Sequence, residues 1–179
     1  MKKNLLTGFT GIFLLLVICI TSNGQLGSSS MQASGHFEFF KNTNSKNSPA
    51  FIDRNNVNVR VVKNFVRSYK DVSGEKWFEM KSGFVAMFSL DDIDYQVAYN
   101  KKGNWIRTIR SYGEVKLSQD LRHTIKSTYY DYDINRVQEI EKPIDPIAYI
   151  IQLVGKTELI NLRICDGEMT VLQKFNKSR

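Results

Sequence analysis

Residues 97–108 read VAYNKKGNWIRT. Val97 and Tyr99 alternate with small or polar neighbours, as a half-buried strand requires. Four turn-forming residues follow, Asn100-Lys101-Lys102-Gly103, and Trp105 then opens a second alternating run. The quartet is either a loop that grips a ligand or the corner of a β-hairpin. Repetition of the pattern elsewhere in the chain decides between the two.

Working outward, three more strand-like runs surround this corner: KWFEM before a Lys81-Ser82-Gly83 turn, FVAMFSL up to the acidic corner Asp91-Asp92, and IDYQVAY with Ile93, Tyr95, Val97 and Tyr99 on one face. With WIRTIRSY they make four strands joined by short turns, an antiparallel meander. Upstream, Val61, Val62, Phe65, Val66 and Tyr69 form one stripe of a helix, with Asn55 or Asn56 placed to cap it. Downstream, Leu121, Ile125 and Tyr129 mark a second helix capped by Ser118, followed by INRVQEIE, AYIIQLV, ELINLRIC and MTVLQKF. Pro143 and Pro146 lie in a longer connection, since neither suits a central strand.

The two halves align. Phe84–Phe88 stands to Tyr99 as Tyr149–Leu153 stands to Ile164. Tyr95, Val97 and Tyr99 match Ile160, Leu162 and Ile164, Trp105 answers Met169, and Tyr69 answers Tyr129. The corner ending at Gly103 matches Cys165-Asp166-Gly167, which favours a hairpin turn whose glycine supplies a positive φ. The expected fold is α+β: two helix-plus-antiparallel-four-strand units in tandem, residues 55–113 and 114–179, with the helices packed on one face of the sheet.

The helices ending in aromatics, Trp77, GFVAMF, VAYNKKGNW and YYDYDI together resemble the bacterial PepSY-like family, also described as β-lactamase-inhibitor-like, over residues 56–175. The prolines frequent at that family's helix ends are replaced by Val57-Asn58, Leu117-Ser118 and Tyr69-Lys70. The resemblance implies an exported α+β module, and by fold analogy protein binding or inhibition.

The amino terminus agrees with export. Lys2 and Lys3 precede the apolar run Phe9–Ile20, and Ser22-Asn23-Gly24 places small residues before Gln25, the pattern of a signal peptide over residues 1–24. The run is short for a membrane span, which needs about 20 apolar residues. An uncleaved anchor and a lipoprotein modified at Cys19 are the alternatives; Ile18 is bulky for the latter. Residues 25–54 have the Ser-, Asn- and Gly-rich composition of a flexible polar linker, interrupted by HFEFF at 36–40, a short strand or a docking patch. Loss of Lys2 and Lys3 leaves 23 basic against 18 acidic residues, a net charge of +5. That is modestly basic, and with export it gives no reason to expect a nucleic-acid partner. Cys165 is the one cysteine of the exported chain, so no internal disulfide is available; it reads as a buried thiol or an intermolecular bridge.

A search for chemistry finds no catalytic constellation. His36 lies in the linker and His123 falls off the apolar stripe of the second helix. No HxxxH, CxxC, phosphate-cradling or nucleophile-elbow motif occurs, so neither a metal nor a cofactor is expected. Asp91, Asp92 and Asp94 read as a solvated turn; a hydrolase would need paired carboxylates there to sit in a pocket. What remains is the sheet face turned away from the helices. Alternation assigns to it Val85, Met87, Asp94, Gln96, Ile150, Gln152 and Arg163, a mixed apolar and charged surface suited to a protein or cell-envelope partner. The competing expectation is a structural or regulatory envelope protein that dimerises through Cys165.

Overall fold

The computed structural model describes residues 49–177. The expected signal peptide, most of the linker, HFEFF, His36 and Cys19 lie outside the described residues. The strands are β1 (Ala50–Ile52), β2 (Lys76–Met80), β3 (Gly83–Leu90), β4 (Ile93–Asn100), β5 (Trp105–Tyr112), β6 (Asp133–Glu141), β7 (Ala148–Val154), β8 (Glu158–Cys165) and β9 (Glu168–Asn176). Two ten-residue helices intervene: α1 (Val59–Ser68) before β2 and α2 (Gln119–Thr128) before β6. A short 3-10 turn precedes each, at Arg54–Asn56 and Glu114–Lys116.

All nine strands form one antiparallel sheet in sequence order. This corrects the expected α+β fold of two helix-plus-four-strand units in tandem. The molecule is mostly β, a single nine-stranded sheet with only two short helices. After β5 the chain crosses the sheet face as α2 and returns to lay β6 directly beside β5, from Thr108↔Glu141 to Tyr112↔Val137. The backbone ladder therefore runs through the junction without a break. β1, which falls inside the stretch expected to be linker, adds the ninth strand by pairing with β2.

Both helices pack on one face. Against α1 lies a cluster of Val57, Val61, Phe65, Trp77, Ala86, Phe88, Val97 and Tyr99. Against α2 lies a second, built from Tyr112, Leu117, Ile125, Val137, Ile151, Leu153, Ile160, Leu162 and others. A ten-residue helix is marginal alone in water, so this burial, about 1.5–3 kcal/mol for each large side chain, is what holds it. Phe65 shows how dense the first cluster is: its ring meets Tyr69, Trp77 and Phe88 at centroid separations of 5.3, 5.2 and 5.5 Å. Val66, expected on the same stripe, is instead 41% exposed, because the stripe is narrow and only Val61 and Phe65 are fully buried.

Helix starts follow from short polar side chains. Asn58, not Asn55 or Asn56, caps α1: its Oδ1 accepts from the Arg60 N–H at 2.9 Å. Asp53 caps the preceding 3-10 turn. Ser118 caps α2 by accepting from the Leu121 N–H at 3.3 Å.

The 100–103 corner is a hairpin turn with a docking role. Asn100 Oδ1 accepts from the Lys102 and Asn104 N–H groups. Gly103 sits at φ 91°, and a Cβ there would come within 2.7 Å of Arg60 Cβ. The Asn58 and Asn64 side-chain amides donate to the carbonyls of Lys101 and Gly103 at 3.0 and 3.3 Å. The corner thus seats α1 on the sheet, while Lys101 and Lys102 face water.

Candidate functional site: the open face of the sheet

Successive side chains on a strand point to opposite faces. With Ala86, Phe88, Val97 and Tyr99 facing α1, their neighbours face away. The ladder then joins those neighbours into rows. One row runs Met87, Gln96, Ile109, Ile140, Ala148 and Cys165 across β3 to β8. The adjacent row runs Ser89, Asp94, Ser111, Gln138, Ile150, Arg163 and Thr170. A partial third places Arg136, Gln152 and Asn161 side by side.

All seven residues read from alternation therefore lie on one face, but in two groups. Val85, Met87, Asp94 and Gln96 sit together on β3 and β4; Ile150, Gln152 and Arg163 sit together on β7 and β8. Ile109 and Ile140, directly paired across the β5–β6 junction, bridge them. Neither was singled out from sequence, although alternation in WIRTIRSY and INRVQEIE contained the signal. What was missing was the β5–β6 register, which no local pattern specifies.

Exposure divides the face. Val85 and Met87 are buried, at 7% and 3% exposure. Asp94, Gln96, Ile109, Ile140, Ile150 and Gln152 are half-buried, and Arg136 and Arg163 are exposed. Asp94 accepts a hydrogen bond from the Ser89 hydroxyl at 2.7 Å, and Gln152 Oε1 accepts from the Asn135 amide at 2.6 Å. Cys165 is a free, half-buried thiol at the end of its row.

The helix face also holds a polar cleft. A cleft of about 380 Å³ beside α1 is lined by Asn64, Tyr69, Trp105, Thr108, Arg110 and Glu141 among others. Trp105 Nε1 donates to the Thr108 hydroxyl at 3.0 Å. Arg110 donates to Glu139 at 2.7 Å and to Glu141 at 2.6 Å, and Tyr112 donates to Glu139 at 2.8 Å. Burial works against the Arg110 charge, but the bonds to Glu141 and Glu139 outweigh it and hold its pKa above the ordinary value. Burial, with Tyr69 nearby, pushes the Tyr99 hydroxyl well above the usual tyrosine range; burial and the Glu139 bond do the same to Tyr112. Arg110, Tyr112, Glu139 and Glu141 pair with one another where β5 meets β6.

Among the described residues no three His, Cys, Asp or Glu side chains come together as a metal site. Asp91 and Asp92 form a two-residue hairpin turn with φ of 51° and 60°, both exposed. His123 is exposed on α2. No described helix is long and apolar enough to cross a membrane.

No protein-family model and no curated protein matches the chain. Solved structures do. A DUF2874 family protein from Bacteroides ovatus superposes with a TM-score of 0.56 at 18% identity, covering 67% of this chain and 87% of that one. The fold resembles that of DUF2874 proteins. A BLIP-like protein from Bacteroides fragilis gives 0.54 at 17% identity, over 67% of this chain and 86% of that one. A Bacteroides eggerthii protein named provisionally as periplasmic gives 0.55 at 17%, over 67% and 88%. At such identities the likeness is one of fold. It gives the β-lactamase-inhibitor-like part of the sequence resemblance a structural counterpart, whereas no comparison supports the PepSY name.

Proposed function

We propose that this chain is an exported, non-enzymatic module that captures a protein partner on the open face of its sheet. The observation that carries the reading is the unbroken set of rows across β4 to β8. Half-buried Gln96, Ile109, Ile140 and Ile150 lie side by side there, edged by the exposed cations Arg136 and Arg163. An apolar centre with an arginine rim is the composition of a protein-binding patch. The amino-terminal pattern read from sequence, the provisionally periplasmic neighbour and the BLIP-like neighbour support export and a protein partner.

The test is a pull-down of envelope proteins on the immobilised chain, followed by affinity measurement with the recovered partner. Ile150→Asp and Arg163→Glu should each weaken binding about tenfold or more, while Lys101→Glu on the far corner should not. Equal affinity for all three variants overturns the reading. Titration against several β-lactamases checks the narrower inhibitory version, which flat activity curves would end.

A second reading, a structural envelope protein bridged through Cys165, is favoured by one observation: the free thiol sits half-buried on this same face. Its test is non-reducing electrophoresis, where a dimer sensitive to dithiothreitol and absent in Cys165→Ser supports it.

A further inference from the structure

The cleft of about 380 Å³ beside α1 falls within the size of small-ligand sites, about 300–1,000 Å³. Three elements bring its polar and aromatic lining together. Asn64 and Ser68 stand on the second half of α1, and Tyr69 is its C-cap. Trp105 and Thr108 come from β5, and Glu141 ends β6. Thr108 is buried, and Trp105 Nε1 donates to its hydroxyl at 3.0 Å. The Tyr69 hydroxyl lies 3.4 Å from the same oxygen. Trp105 and Tyr69 are themselves half-buried, so both rings keep surface for a ligand.

The polar groups left over define what such a ligand must offer. The Asn64 amide nitrogen donates to the Gly103 carbonyl, which leaves its Oδ1 as an acceptor. Glu141 gives Oε2 to Arg110 and keeps Oε1. Ser68 is exposed, and its hydroxyl has no partner among the described residues. Two acceptors and a hydroxyl call for a ligand that donates. An anion would face these oxygens without a free cation, since Arg110 is already held by Glu139 and Glu141. A cation would share Glu141 with a guanidinium 2.6 Å away and be repelled by it. A neutral hydroxylated ring meets neither obstacle, and its C–H faces suit aromatic walls. We propose that this cleft binds a saccharide, its C–H face against Trp105 and Tyr69 and its hydroxyls donating to Asn64 Oδ1 and Glu141 Oε1.

The cleft is on the helix face, opposite the surface assigned to a protein partner, so neither site depends on the other. Calorimetric titration of the full-length exported chain uses glucose, galactose, N-acetylglucosamine, maltose and cellobiose, with lysinamide and inorganic phosphate as charged probes. At least one sugar should bind with a Kd of about 1 mM or tighter, and neither charged probe should bind as well. Absence of sugar binding in that range overturns the proposal, and so does tighter binding of either charged probe. Ser68→Arg puts bulk and a further cation at the exposed rim. It should weaken the sugar about tenfold or more at an unchanged melting temperature. Lys156→Glu, in the exposed turn between β7 and β8, should leave the affinity as it was. Equal affinity in the two variants refutes the location. Should Ser68→Arg lower the melting temperature, fluorescence decides instead. The chain has two tryptophans, so Trp77→Phe leaves Trp105 as the sole emitter. Sugar should then shift its emission, and calorimetric binding without that shift places the ligand elsewhere.

Discussion

Gly103 is where backbone conformation and tertiary packing meet. Its φ of 91° is one that side chains rarely adopt, and an added Cβ would collide with Arg60 of α1. Gly103→Ala should therefore destabilise the protein by more than about 1 kcal/mol, read as a lower urea midpoint. The change of Gly167, also at positive φ but with open space around it, should cost less, since only backbone strain is involved there. Equal costs would mean that the corner does not seat the helix. The buried tyrosines carry the pH response. Tyr99 and Tyr112 hold their protons more tightly folded than unfolded. Their contribution is complete below the unfolded value of about 10 and is lost as pH rises above it. Alkaline titration should thus show tyrosinate absorbance from these two only together with loss of β-sheet circular dichroism. Ionisation of both in a folded sheet would contradict the burial that raises them. At this scale the sequence was partly transparent. The glycine turns were legible because so few residues tolerate positive φ. The capping role of Asn58 was not, since Asn55, Asn56 and Asn58 offer the same chemistry and only the observed chain path selects one.

At the scale of elements, β2 to β9 announced themselves through alternation and each helix through an apolar stripe with a cap, whereas the three-residue β1 lay hidden in the polar stretch read as linker. The β5–β6 pair did not. It is held by backbone bonds and by the Arg110 fork onto Glu139 and Glu141, whose partners lie 29 and 31 residues away in sequence. Side-chain exposures of 25%, 18% and 36% put this network between surface and core. Arg110→Met should leave two neighbouring carboxylates without their cation, costing about 1–3 kcal/mol in chemical denaturation. Adding Glu139→Gln should recover part of the loss. If the double variant is as unstable as the sum of the single ones, the charges are not coupled and the seam is held by packing alone. The open-face residues follow the same logic. Their parity was readable strand by strand, but that Ile109 and Ile140 join the two predicted groups depends on this one pairing.

At the scale of the whole molecule, two hydrophobic clusters share a single nine-stranded sheet. Trp77 and Trp105 both belong to the α1 side, so tryptophan fluorescence reports that half, whereas far-ultraviolet circular dichroism reports all strands. Ile151→Ala, in the other cluster, should cost about 2–5 kcal/mol and lower the midpoint seen by both signals equally, as one cooperative unit demands. A tryptophan midpoint that stays in place would restore two independent units. The repetition in sequence explains why the tandem arrangement looked sufficient: each half carries its own helix, its own four strands and its own inward-facing residues. Sequence alone determined the elements, their inward faces and their polar corners, because period, turn chemistry and capping act over a few residues. Only the tertiary structure decided that β5 and β6 pair in the observed register and that β1 joins the sheet as its ninth strand. Those outcomes arise from backbone groups and side chains meeting across long sequence separations, where every strand offers the same hydrogen bonds and the choice of neighbour falls to the path of α2 and the packing beneath it.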